Sequence, residues 1–270
     1  MKERRKIMIT VCKHELKLSF KTLLIWSLSV GLLGLVCILL YTSMEGNMAD
    51  MADMFSNMGA FSDAFGMSTL SIATLGGFFA TEVGTVHGLG SAMFAAILAA
   101  VVLSKEEDGH TGEFLYSLPV SRGGAVTAKC LSVLINLVAF TVICGALYVL
   151  GFVMLGEEIL WKEIITFLGR MLLMNVEIAS VALIISAASS RNRLGAGLGL
   201  ALIFYAFDLI GRVVPDLKDY LFIGPFSFAN ASEIFSGKAA PSGSIALGFI
   251  VAAVSVASAY IIYLKKDLAS

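Results

Sequence analysis

The chain has 270 residues, of which 58% are hydrophobic and only 14% charged. Soluble domains carry charge on about a quarter of their residues, and here the apolar residues fall in long runs without polar alternation, which excludes a soluble globular domain. A net charge of −1 says nothing about partners, and no nucleic-acid partner is expected; the information lies in where the charges sit.

The chain opens on a basic stretch containing Lys2, Arg4, Arg5, Lys6, Lys13, Lys17 and Lys21. At about 100° per residue, Lys2, Lys6, Lys13, Lys17 and Lys21 share one helical face, while Ile7, Met8, Val11, Cys12 and Leu18 share the other. An amphipathic helix of this kind suits the membrane interface, with its lysines toward anionic lipid. The alternative is a basic flank that only sets topology. Glu15 falls inside the apolar sector and points to a protein partner there. The apolar run that follows is too long for a signal-peptide core, and no small-x-small cleavage site comes after it, so it is expected to be a retained first span.

About 20 apolar residues cross the roughly 30 Å hydrocarbon core. Six segments meet this requirement: Leu23–Tyr41, Thr85–Leu103, Ala128–Leu155, Ile164–Ala187, Gly195–Val213 and Ile245–Leu264. The third is long enough to tilt or to extend past the membrane. The start of the second is ambiguous, because Glu82, His87 and a run of glycines (Gly76, Gly77, Gly84, Gly88, Gly90) loosen it; a short surface helix could precede the span. The fold class expected is all-α and polytopic: one transmembrane domain over residues 1–270, with an amino-terminal interfacial helix and six spans.

Orientation follows from Lys and Arg, which concentrate on the cytoplasmic side. Most of the 19 such residues lie before the first span, in the loop after the second (Lys105, Arg122, with Lys129 just beyond), in the loop after the fourth (Arg191, Arg193) and in the tail (Lys265, Lys266). The loop over residues 42–74 has none. Both termini are therefore expected in the cytoplasm.

Three other residue sets carry little chemistry. Met44, Met48, Met51, Met54 and Met58 make one helical stripe in the first outer loop. Thioethers can bind copper(I), but with no His or Cys among them the apolar face of a surface helix is favoured. Cys12, Cys37, Cys130 and Cys144 are far apart and form no C-x-x-C pair, so they read as small packing residues. His14, His87 and His110 are too scattered to hold a catalytic metal with Glu. No metal or catalytic residue is expected.

The loop after the second span reads Lys105-Glu-Glu-Asp-Gly-His-Thr-Gly-Glu-Phe-Leu-Tyr-Ser-Leu-Pro-Val-Ser-Arg122. Thr111 can cap a short helix on which Phe114, Leu115 and Leu118 form an apolar edge, and Pro119 limits it. Glu106, Glu107, Asp108 and Glu113 flank that edge. A short amphipathic helix tethered between two spans suits docking into a groove on a soluble partner; the alternative is a solvated connecting loop.

This stretch resembles the signature of permeases of the type 2 branch of ABC exporters, in which an acidic run leads into a Gly-Thr-x-Glu-x-Leu-Leu-like helix and a Leu-Pro-Val-Ser-Arg-like turn. The corresponding residues are Glu106, Glu107, Gly109, Thr111, Glu113, Phe114, Leu115, Ser117, Leu118, Pro119, Val120, Ser121 and Arg122. His110 and Gly112 stretch the usual spacing. The amino-terminal interfacial helix, the large first outer loop and the six-span layout extend the likeness over nearly the whole chain. The resemblance implies a transmembrane subunit that pairs with a separate ABC-type ATP-binding subunit and a second permease subunit. Glu106, Glu107, Glu113, Phe114, Leu115, Leu118 and Arg122 would couple the two proteins. ATP and Mg would belong to the partner. The chain has no Gly-x4-Gly-Lys-Ser/Thr phosphate loop, so no cofactor is expected in it.

Ionisable groups within spans cost at least about 2.5 kcal/mol on insertion scales and each needs an account. Arg170 and Glu177 share a face of the fourth span with Asn175 nearby, and Asp208 and Arg212 are four apart in the fifth. Arg170, Asn175, Glu177 and Asp208 read either as a polar translocation path or as charges that neutralise one another in the bundle. A proton-coupled secondary transporter using Glu177 or Asp208 is the rival function. The small residues Gly195, Ala196, Gly197, Gly199 and Ala201 permit close helix contact, within one subunit or between two.

Overall fold

The computed structural model describes residues 2–44, 48–112, 117 and 120–267. All regular structure among them is helical. Helix α1 (Lys2–Met44) is followed by two short helices, α2 (Met48–Ser56) and α3 (Ala60–Phe65). Helix α4 (Leu75–Phe78) continues through a π turn (Phe79–Val83) into α5 (Gly84–Val102), and a single turn, α6 (Lys105–Asp108), follows. Then come α7 (Arg122–Leu155), α8 (Trp161–Ala188), α9 (Leu194–Val213), a 3-10 segment (Pro215–Ile223), α10 (Ala231–Phe235) and α11 (Ser244–Lys265). Among the described residues, six helices are long and apolar enough to cross a membrane: Ile7–Met44, Leu75–Val102, α7, α8, α9 and α11.

The six-span architecture agrees with the sequence reading, but three boundaries move. Helix α1 has 43 residues, about 65 Å at 1.5 Å per residue, or twice the hydrocarbon core. No turn separates an interfacial helix from the first span: residues 2–44 contain no proline, and nothing else in them forces a break. The second span starts at Leu75, where Thr74 caps it by accepting a hydrogen bond from Gly77 N at 3.0 Å. Gly77 sits so close to the Ser71 carbonyl that a Cβ would collide with it. The surface helix expected before the span is the first turn of the span itself, joined to the rest by the π turn that carries Glu82. The third span starts at Arg122, because Ser121 Oγ accepts from Gly124 N at 3.1 Å and caps it there.

Helices α1 and α7 pack side by side and parallel. Asn136 Nδ2 donates to Ser19 Oγ at 3.0 Å, Cys144 Sγ donates to Ser27 O at 3.5 Å, Gly34 lies under the Tyr148 ring, and Gly151 lies against Ile38. Residue numbers rise together along both helices, as they must for the first and third spans of a chain that alternates sides. Among the buried positions of α1, Leu23, Ser27, Gly31, Gly34, Ile38 and Tyr41 recur at spacings of three and four, the repeat of a continuous helix–helix seam. Glycines let the backbones approach: a Cβ on Gly151 would lie 3.0 Å from Ile38.

Helix α5 is the central element, packed against α1, α7, α8 and α9, with Ala92, Phe94, Ala95, Ala96, Ala99 and Ala100 fully buried. Helix α9 rests on it through Gly197, where a Cβ would be 2.8 Å from both Ala100 Cβ and Ala96 O. Gly197 and Ala201 thus serve packing within the subunit, while Gly195 and Gly199 face open space. An aromatic cluster locks the π turn: Phe79 meets Tyr148, Phe152, Phe167 and Phe235 at ring separations of 5.6, 5.9, 5.7 and 5.1 Å. His87 is fully buried beside it, its Nδ1 2.8 Å from the Tyr148 hydroxyl.

The first turns of α1 and α7, all of α6, the end of α8 and the residue after α11 meet at one end of the bundle. We call it the terminal end. At the opposite end α3, the 3-10 segment and α10 border a common crevice.

Candidate functional site

The strongest concentration of charge is at the terminal end, where the chain turns out of α5. Helix α5 finishes at Val102, and its exit is held by α8: Ser186 Oγ accepts from Leu103 N at 2.9 Å and Ser104 N at 3.2 Å. The next turn, α6, consists of Lys105, Glu106, Glu107 and Asp108. Consecutive residues of a helical turn point about 100° apart, so its two adjacent glutamates reach different neighbours.

Glu106 Oε1 lies 2.5 Å from Lys129 Nζ, near the start of α7. The same ammonium donates to Val102 O at 2.5 Å and lies 3.3 Å from Glu15 Oε1 of α1. Lys105 pairs with the other oxygen of Glu15. Lys129 is fully buried, which a lysine tolerates only with its donors occupied; here two carboxylates and a helix-terminal carbonyl occupy them. Two lysines face two glutamates, so the group is neutral. On the other flank, Glu107 Oε1 lies 2.7 Å from Lys266 Nζ. Lys266 Nζ also donates to Ser189 O at 2.7 Å, and the Lys266 carbonyl accepts from Arg122 Nη1 at 2.9 Å.

Beyond α6 the chain turns outward. Thr111 N donates to Glu106 O at 2.8 Å, and His110 adopts a left-handed φ of 51°. Asp108, Gly109, His110 and Thr111 are exposed. Of the residues expected to couple to a partner, Glu113, Phe114, Leu115 and Leu118 lie outside the described residues. The other three are placed. The sequence reading put Glu106 and Glu107 on the flank of an outward edge; the structure turns both inward onto lysines, because the nearest cations belong to the chain's own helices. Arg122 stands at the loop's far end, joined to the tail.

The partner that Glu15 called for is the chain itself. Its neighbours Val11 and Cys12 pack on Ala128 with Met8 and Leu16 at the edge, so the apolar sector of the first residues faces the bundle, while Lys13, Lys17 and Lys21 face outward. The sequence pattern marks Lys129 and Lys266 only as topology signals. The clue to Lys129 was its position: a lysine at the foot of an apolar run needs a counter-charge.

The intramembrane polar residues are not gathered into one row. Asp208 is held by Arg212 through two bonds, Nε to Oδ2 at 2.7 Å and Nη2 to Oδ1 at 2.8 Å, the neutralised pair that their spacing allowed. Arg170 and Glu177 form no such pair: Arg170 Nη1 approaches Phe228 O at 3.4 Å, and Glu177 Oε2 is buried without a hydrogen-bond partner against Gly248 of α11. Asn175 is buried with both amide atoms unpartnered. Two residues apart on a helix means nearly opposite directions, which separates Asn175 from Glu177.

Two of the crevices that border the bundle lie at its opposite ends. One of about 600 Å³ lies toward the terminal end between α1, α5 and α9, apolar except for Glu15, Ser19, Thr22, Lys105 and Ser132. The other, about 540 Å³, lies at the opposite end and is polar, bordered by Asp63, Arg212, Lys218, Asp219 and Glu233. Arg170, Asn175 and Glu177 border neither.

Set against models of protein families, residues 9–268 match that of the ABC-2 family transporter proteins. No curated protein matches the chain.

Proposed function

The chain belongs to the ABC-2 transporter family, as a multi-pass membrane subunit, and from that premise we propose that it is the permease of an ATP-driven exporter in a bacterial plasma membrane. A separate ABC-type subunit binds ATP and Mg, and a second permease, identical or related, completes the assembly. The terminal end is cytoplasmic. Cargo crosses by alternating access, with the apolar crevice beside α5 and the polar crevice at the outer end as its two sides. Lys13, Lys17 and Lys21 face anionic lipid headgroups.

One observation carries this reading: α6 is braced on both flanks by buried ion pairs, at the root of a loop whose next residues turn away from the bundle. A loop that served only as a connection would not need a desolvated, charge-balanced footing. In sequence, the loop then presents Phe114, Leu115 and Leu118, apolar residues outside any span. These are the anchors that seat in the ATPase, with Glu113 at the rim. The proton-coupled alternative is weakened at Asp208, whose carboxylate is already taken by Arg212.

The test is co-purification of the ATPase from detergent with Phe114→Ala and Leu118→Ala variants. Buried anchors commonly contribute about 2 kcal/mol or more each, so each variant is expected to release the ATPase or uncouple its hydrolysis, with membrane insertion intact. Normal binding and normal cargo-stimulated hydrolysis in both variants overturn the proposal.

A further inference from the structure

Both ends of the loop between the second and third spans are fastened to one residue of the carboxyl-terminal tail. Glu107, on the entering side, pairs with Lys266 Nζ; Arg122, on the leaving side, donates to the Lys266 carbonyl. Lys266 Nζ also holds Ser189 O, just past α8. Three helices and the loop therefore meet at a residue immediately after α11. The Glu107 side chain is 2% exposed, its second oxygen has no hydrogen-bond partner among the described residues, and its ion pair there is with Lys266.

We propose that Lys266 is a positioning residue for transport, the latch through which movement of the coupling loop is passed to α11 and α8. The inference rests on the exporter reading above. Its mechanical basis is the length of α6. Four residues form one turn, too short to bend, and Glu106 binds α7 and α1 on one flank while Glu107 binds Lys266 on the other. A displacement of the loop by the ATPase must carry both flanks or break one. Breaking the Lys266 side strands a carboxylate in a nearly dry site, so the flank moves with the loop. Helices α11 and α8 pack along each other, and the chain just before α11 (Pro241, Ser242) borders the outer crevice. The latch thus joins the loop to the far side of the membrane through a single helix.

The experiment places a cysteine at Ser242, an exposed residue on that crevice, and reads its labelling by a membrane-impermeant thiol reagent in complexes co-purified with the ATPase, with and without ATP. Labelling of the parent lacking the new cysteine is subtracted. With Lys266 intact, ATP should change the rate at least about fivefold, the low end of coupling between distant sites. In Lys266→Met the ATPase should still co-purify while the ATP effect falls to near unity, and Lys266→Arg should keep it. Glu107→Gln, which removes the ion pair and leaves the Lys266–Ser189 contact in place, should likewise lose the ATP effect, and decides the question where Lys266→Met does not fold. An equal ATP effect in Lys266→Met or in Glu107→Gln, no effect in the parent, or loss of ATPase binding on substitution overturns the latch. If the parent itself binds no ATPase, the exporter reading falls first.

Discussion

Lys129 Nζ sits 2.5 Å from Glu106 Oε1 at the foot of α7, with none of the lysine side chain exposed. A buried ion pair adds little stability over well-packed apolar residues, but removing one member leaves a bare charge behind. This one sits where the turn after α5 meets α7 and α1.

Lys129→Met should therefore destabilise the protein by about 3–5 kcal/mol, because it leaves Glu106 and part of Glu15 without a cation. Adding Glu106→Gln removes one stranded charge and should recover much of the loss. Thermal unfolding of the detergent-solubilised protein measures both. A double variant no more stable than Lys129→Met would mean that Glu106 does not depend on Lys129.

The two charge sets within the spans should behave differently. Asp208→Asn and Arg212→Gln remove partners in a bidentate pair, and a double-mutant cycle should give a coupling of about 0.5–3 kcal/mol. Arg170→Met and Glu177→Gln should instead add to within about 0.5 kcal/mol, as expected for groups that do not interact. Strong coupling in the second cycle would require an ion pair that the structure lacks.

The seam between α1 and α7 should not accept added volume. Gly151→Val forces its new carbons into Ile38 and should cost about 1–3 kcal/mol, whereas Gly169→Val, where nothing lies within 4 Å, should be nearly silent. Yield of folded protein and unfolding temperature provide the comparison. Equal effects at the two sites would argue that helix propensity, and not the seam, governs glycine here.

Orientation is testable with single cysteines at two exposed positions, Asn57 and Ser121. The distribution of Lys and Arg predicts that Asn57→Cys is labelled from outside intact cells and Ser121→Cys only after permeabilisation. The opposite pattern would put the loop on the wrong side for an ATPase.

The number of spans and the helical class were legible in the sequence, because a bilayer requires long unbroken apolar runs and leaves few other backbone solutions. The ends of the spans were harder to read. Hydropathy registers where apolar residues stop, while helices end where a hydrogen-bond cap stops them. Thr74 and Ser121 start the second and third spans in segments that are not uniformly apolar, and a lack of any breaker carries α1 through the basic residues into the first span.

The order of residue types in the loop after the second span was readable, and so were the lone Glu15 and the spacing of Asp208 and Arg212, four residues apart and one helical turn away. What a linear pattern could not supply was the choice of partner. Glu15 finds Lys105 and Lys129, and Glu107 finds Lys266, across separations of 90 and 159 residues for the hydrogen-bonded pairs Lys105–Glu15 and Lys266–Glu107. Arg170 and Glu177 share a face yet do not meet, because a shared face fixes direction and not reach. Charges pair with whatever the packing of distant helices brings within hydrogen-bond distance, and that packing was decided by small residues such as Gly34, Gly151 and Gly197, whose importance lies in what stands opposite them.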